Sequence, residues 1–100
     1  MAFEFEWDPA KARANLTKHG VSFDEATTVF GDPLSSTFRY PYHSLVEERL
    51  VILGMSHRGR LLAVMHTERR RTSDGADVVR IFSAREATRG ERMAYEEGTT

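Results

Sequence analysis

Two apolar runs lie almost back to back in this chain: Leu50 to Ser56, then Leu61 to Thr67, with His57-Arg58-Gly59-Arg60 between them. Each run has the length of a buried strand, shorter than an ordinary helix. A short link containing glycine closes a hairpin; a crossover to a parallel partner would take a dozen or more residues. The two runs are therefore expected to pair antiparallel. A third run, Val78 to Ser83, follows a polar loop from Arg70 to Asp77 whose Asp74-Gly75 dipeptide is a turn signal. Thr37 to Tyr40 reads as a short strand ahead of them, with a loop from Pro41 to Val46. Consecutive strands joined by short links make an antiparallel meander.

The N-terminal part is read from its punctuation. Phe3-Glu4-Phe5-Glu6-Trp7 alternates apolar and polar, the period of a strand. Asp8-Pro9 opens a helix, because Asp caps unpaired N–H groups and Pro at the first helical position loses no hydrogen bond. Gly20 ends that helix after His19 by taking the left-handed conformation without a Cβ clash. Ser22 and Glu25 have capping-box spacing and start a second helix, with Phe23, Ala26, Thr27 and Phe30 facing the core and Gly31-Asp32-Pro33 ending it. Thr88 and Glu91 have the same spacing and open a short C-terminal helix through about Glu97; Ser83 and Glu86 match it too, leaving that boundary open. The fold expected is α+β: two N-terminal helices packed on one face of an antiparallel meander, a short C-terminal helix, and the other face open for a ligand or partner. Residues 1–97 are read as one domain and 98–100 as a tail.

Composition bounds the chemistry. The chain has no cysteine, which excludes disulfides, thiolate metal sites and cysteine nucleophiles. No apolar run approaches a membrane span, and residues 1–8 lack the basic start and apolar core of an export signal, so a soluble, cytoplasmic protein is expected. There is no Gly-rich phosphate loop, zinc motif or nucleophile elbow. The net charge is −1, against the strong basicity of many nucleic-acid binders. The charge is uneven, however: Arg58, Arg60, Arg69, Arg70 and Arg71 are close in sequence, with His57 and His66 among them, while Glu4, Glu6, Asp8, Glu47, Glu48, Glu96 and Glu97 lie elsewhere.

Several segments together resemble a known family. Phe5-Glu6-Trp7-Asp8-Pro9-Ala10-Lys11, Asn15-Leu16-Thr17-Lys18-His19-Gly20-Val21-Ser22-Phe23, and Ala26 with Val29-Phe30 resemble the opening of the BrnT toxins. Glu48-Arg49, Ile52-Leu53-Gly54 and Arg60-Leu61-Leu62-Ala63-Val64 resemble their middle. Arg80-Ile81-Phe82-Ser83-Ala84-Arg85-Glu86-Ala87-Thr88, with Glu91-Arg92 and Tyr95-Glu96, resembles their close. The stretch Arg71 to Asp77 departs from the pattern by its length. The resemblance implies a RelE-like fold, and a ribonuclease toxin of a type II toxin–antitoxin system that acts on RNA without a cofactor or metal. It also implies a small DNA-binding antitoxin of the BrnA type, through which the complex would reach operator DNA; because two-fold antitoxin dimers usually bind half-sites, a toxin–antitoxin heterotetramer is expected.

Metal-free RNA cleavage needs a base for the ribose 2′-hydroxyl, cations for the charge developing on phosphorus, and an acid for the leaving oxygen. Histidine suits the proton transfers and arginine the phosphate. His19 is the first candidate for proton transfer, although Lys18-His19-Gly20 is also how a helix ends favourably. Arg80 and Arg85, flanking the last strand, are candidate catalytic cations, since the resemblance implies basic RNA-contacting residues there; ion pairs with Glu86 or Glu91 are the plain alternative. Lys18, Arg58, Arg60, Arg69 and Arg70 are candidate RNA-binding residues, set against ordinary solvated charge. Trp7 could stack on a base, but core packing accounts for it better. Lys11 and Asn15 share a helix face; His66 reads as a packed core histidine, Glu25 as a cap, and His43 and His57 as loop residues. The alternative function is an inactive homologue serving as an antitoxin-binding corepressor.

Overall fold

The computed structural model describes residues 3–39 and 48–98; His43, Tyr40 and the loop Pro41 to Val46 lie outside them. In order, the elements are β1 (Phe3–Glu6), α1 (Pro9–His19), α2 (Phe23–Thr28), a 3₁₀ turn (Val29–Gly31), β2 (Ser36–Arg39), β3 (Leu50–Met55), β4 (Leu61–Arg70), β5 (Asp77–Glu86) and α3 (Arg89–Gly98). The local signals act as their chemistry requires. Asp8 accepts from the Ala10 N–H at 2.8 Å, and Gly20 (φ 70°) sends its N–H back to the Leu16 carbonyl. The Thr88–Glu91 capping box is reciprocal, with Glu91 N–H to Thr88 Oγ1 at 3.1 Å and Thr88 N–H to Glu91 Oε1 at 2.9 Å. Ser83 to Glu86 stays in strand.

The five strands form one sheet in the order β1-β5-β4-β3-β2. β2 to β5 make the expected antiparallel meander. The expectation of a wholly antiparallel sheet is corrected at its edge: β1 pairs parallel with β5, Phe3 opposite Asp77 through Glu6 opposite Arg80. The sheet's central hairpin strands are already paired, so the N-terminal strand finds its hydrogen bonds on the outer side of β5. β4 and β5 are also longer than their apolar runs, because Arg69 opposite Val78 and Arg70 opposite Asp77 continue the ladder. The loop expected over Arg70 to Asp77 is shorter by its two ends.

Two cores flank the sheet. On the first face, Val21, Phe23, Ala26 and Val29 from the helical segment pack onto Ile52, Leu62, Val64, Val79, Ile81 and Ala84, with Phe5, Trp7 and Phe30 at the margin. Trp7 sets its edge against Phe23 at 5.8 Å between centroids, and His66 is fully buried, edge-on to Phe30. Burying a side chain such as Phe23 contributes about 2 kcal/mol. The 3₁₀ turn presses so closely on β3 that a Cβ at Gly54 would lie 2.7 Å from Val29 Cγ1 and 3.2 Å from the Val29 carbonyl oxygen. The second face is not open throughout, as the sequence suggested. Tyr95 of α3 packs on Val51, Leu53, Leu61 and Ala63, and its hydroxyl donates to Asp32 Oδ2 at 2.6 Å. Apolar residues alternating toward that face require a cover, and the amphipathic α3 supplies one.

Candidate nucleic-acid interface

β1 ends at Glu6, so beyond Arg80 the outer edge of β5 has no strand beside it. α1 takes over that edge. Asn15, only 6% exposed, donates to the Ala84 carbonyl at 2.8 Å and accepts from the Ala84 N–H at 3.1 Å, so one side-chain amide does what a neighbouring strand would do. It also donates to the Val21 carbonyl and accepts from Ser83 Oγ. With α1 fixed in this way, Lys11, Lys18 and His19 line a cleft of about 250 Å³ together with Ala14, Asn15, Phe82 and Ser83. Among the described residues none of these three cations is ion-paired.

Phe82 occupies this cleft because of a bulge. Ile81 faces His66 and Ser83 faces Met65, leaving Phe82 as the extra residue of β5. A bulge re-aims the side chain it carries. Phe82 is half-buried, belongs to neither core, and has cations beside its ring: Lys11 Nζ at 5.5 Å and the Arg49 guanidinium at 4.6 Å from the centroid.

Arg80 and Arg85 stand on either side of Phe82 along β5. Their partners across the ladder, Thr67 and Ala63, put both on the second face. Arg80 donates to Glu6 Oε2 at 3.2 Å, and Arg69 donates to both Glu6 oxygens at 3.0 and 3.3 Å. These two guanidinium groups hold the Glu6 carboxyl below its usual range, Arg69 contributing most, against a smaller opposing effect of burial. Arg85 grips Glu91 with two bonds, 2.7 and 3.0 Å, which lowers the Glu91 carboxyl likewise.

The other cations singled out in the sequence do not converge there. Arg60 lies at the β3–β4 turn and Arg70 at the far end of β4, roughly 30 Å apart along an extended strand. Arg60 belongs to a structural cluster. Its Nε donates to Glu25 Oε2 at 3.0 Å, its Nη2 also bonds Glu25 and the Gly20 carbonyl, and Ser56 Oγ donates to Glu25 at 2.7 Å. Glu25 is 3% exposed and its carboxyl is held at about 2, chiefly by Arg60, with burial opposing. Its N–H is capped by Ser22 as expected, but its carboxylate is not the cap that the spacing suggested. Arg58 is largely exposed, 3.9 Å from Glu25. Arg70 pairs with Asp77 at 3.2 Å. His57, also in the turn, meets Thr28. Sequence reasoning missed Arg49, Phe82 and Glu6 as parts of this interface. Phe82 follows Arg80 and Ile81 as if it were one more residue of a buried strand, and only the register across β4 shows the bulge.

A cationic cleft with an aromatic floor, next to a strand carrying two further arginines, suits a single-stranded polyanion with bases. A model of the ribonuclease toxin BrnT of type II toxin–antitoxin systems matches residues 7–91. The chain belongs to the BrnT family. The fold agrees with the 1.1 Å crystal structure of the Brucella abortus ribonuclease toxin BrnT, at a TM-score of 0.59 and 20% identity over 88% of this chain and 100% of that one. A search of curated proteins finds no matching relative. The matched span holds every cleft residue, together with Arg80, Arg85 and the resident acid Glu91. BrnT toxins are described as ribonucleases that work within a toxin–antitoxin pair. Among the described residues no helix is long and apolar enough to cross a membrane, and no group of three His, Asp or Glu side chains could hold a metal ion.

Proposed function

We propose that this chain is a RelE-like ribonuclease toxin that cleaves RNA without a metal ion along the seam between α1 and β5. The observation that carries the reading is the gathering of Lys11, Lys18 and His19 around Phe82 in one cleft, on the strand that bears Arg80 and Arg85. β5 is the sheet edge here, so the cleft and the two arginines share one strand. In the reaction a base removes the proton of a ribose 2′-hydroxyl and O2′ attacks the adjacent phosphorus. The bond to the 5′-oxygen then breaks, and an acid protonates that oxygen, leaving a 2′,3′-cyclic phosphate and a 5′-hydroxyl. His19 is the candidate base or acid. Lys18, Arg80 and Arg85 are the candidate cations for the charge developing on phosphorus. Arg80 reaches phosphate by exchanging Glu6, since a partly exposed ion pair is worth only about 1 kcal/mol or less; Arg85 must exchange the firmer, two-bonded Glu91. Arg58, Arg69 and Arg70 are outlying phosphate contacts; Arg60, committed to Glu25, would reach RNA only by giving up that pair.

The partner proposed is a BrnA-type DNA-binding antitoxin, covering α3 or the part of the second sheet face beside it, in a heterotetramer that acts on its operator in the cytoplasm. The test is induction of this chain alone in bacteria with total RNA followed over time, and purified chain on single-stranded RNA in EDTA. Growth arrest with RNA breakdown, reversed by the antitoxin, and cleavage that persists in EDTA are expected. Normal growth with intact RNA, from a folded and abundant chain, would overturn the ribonuclease reading in favour of a corepressor that only binds antitoxin.

A further inference from the structure

Phe82 is an expensive residue to leave where it is. A phenylalanine in a sheet ordinarily joins a core, yet this one is half-buried, outside both cores, and placed by a bulge on the lining of an open cleft. Its ring is flanked by two unlike cations. Arg49 is partly buried, does not line the cleft, and among the described residues its buried Nε has no hydrogen-bond partner, so its guanidinium is held against the ring rather than by an acid. Lys11 is exposed, lines the cleft, and stands at the longer distance. The nearer cation is thus partly buried and fixed, and the farther one is exposed and flexible.

We propose that Phe82 is a stacking platform for one unpaired nucleobase of the RNA, with Arg49 holding the ring in place and Lys11 moving from ring to phosphate as the base arrives. The inference rests on the ribonuclease reading and adds to it a specificity-determining residue. The chemistry favours a base over a bare polyanion. A planar π-system gains from stacking on an aromatic ring, while a phosphate gains nothing from the ring itself. A base held in duplex has its faces covered, so the platform selects single-stranded RNA.

The experiment uses the whole chain and a single-stranded RNA oligonucleotide of mixed sequence, its duplex, and a set of the same single strand with one abasic ribose moved along it. Phe82→Leu is expected to weaken single-strand binding about tenfold or more and to raise KM more than it lowers kcat, leaving the unfolding midpoint nearly in place. Phe82→Trp should restore binding. On the wild-type chain, one abasic position should cost a similar factor, and duplex binding should be indifferent to the Leu variant. Phe82→Leu equal to wild type, or an abasic set that binds uniformly, would overturn the platform while RNA cleavage stands. A wild-type chain that neither binds nor cuts RNA would overturn the ribonuclease reading first, and the platform with it. The abasic series needs no variant, so the test survives a substitution that fails to fold.

Discussion

Two cationic clusters meet at Gly20, and they are built on opposite rules. In the first, Arg60 reaches the Gly20 carbonyl while it closes on Glu25, and Ser56 completes a carboxylate that is almost wholly buried. In the second, His19 and Lys18, the residues just before that glycine, open into a cleft with Lys11 and no acid among them. The first spends its charge internally and can do no chemistry on a substrate. The second keeps its positive potential directed outward, balanced nearby by an aromatic ring. Formal charge does not separate these two clusters; what does is whether the fold has buried a counter-charge against the cation, as Glu25 is buried against Arg60.

The contrast can be broken most severely at Glu25. Replacing it by Ala leaves Arg60 without its main partner, and we expect about 3 kcal/mol of lost stability in urea denaturation at neutral pH, the lower end for a broken buried pair because Arg60 keeps some exposure. An unmoved midpoint would mean that the cluster is as dispensable as a surface pair. The same carboxylate sets an acid limb. Its folded value of about 2 lies below its ordinary 4.5. The stability it contributes is therefore fully present above about pH 4.5 and is lost as the pH falls toward 2, amounting to roughly 3 kcal/mol. Glu25→Gln should flatten that part of the profile. Asn15→Ala should cost about 1–3 kcal/mol, because it strands the Ala84 N–H and the Ala84 and Val21 carbonyls. It should also lower cleavage, since α1 carries the cleft, and cleavage unaffected by a destabilised α1 would argue that the chemistry lies elsewhere.

His19→Ala and Arg80→Ala test the other side of the contrast. Each should lower kcat/KM at least tenfold, about 1.4 kcal/mol of transition-state stabilisation, with little change in the unfolding midpoint. A variant that loses stability but not cleavage would move its residue to the structural class. Smallest of all, Arg58→Ala should change stability by less than about 0.5 kcal/mol, since its side chain is 65% exposed and its approach to Glu25 is long.

What could be read from the sequence was what depends on neighbours in the chain. Asp8, Gly20 and the Thr88–Glu91 box act within a few residues of themselves, so composition and spacing suffice to place α1 and α3. The hairpin followed from a link too short to do anything else. The pairings that were missed join residues far apart: β1 lies on β5 across more than seventy residues, and Arg60 finds Glu25 at a separation of 35. Nothing local marks such partners. Lys18 and His19 were legible as cations at a helix end, and the fold then supplied Lys11 and Phe82 around them. Phe82 itself was hidden because a bulge is a property of two strands compared, and a single strand read alone shows only an apolar residue among others.

The bulge also makes Phe82 separable from the sheet that displays it. Remove that one residue and Ile81 opposite His66 would be followed directly by Ser83 opposite Met65, a regular ladder with every other cross-strand pair unchanged. Most single deletions in a strand turn its remaining side chains onto the wrong face. At this position a deletion would do the reverse and restore the alternation. The register thus predicts that a chain lacking Phe82 keeps the sheet and both arginines while losing the ring.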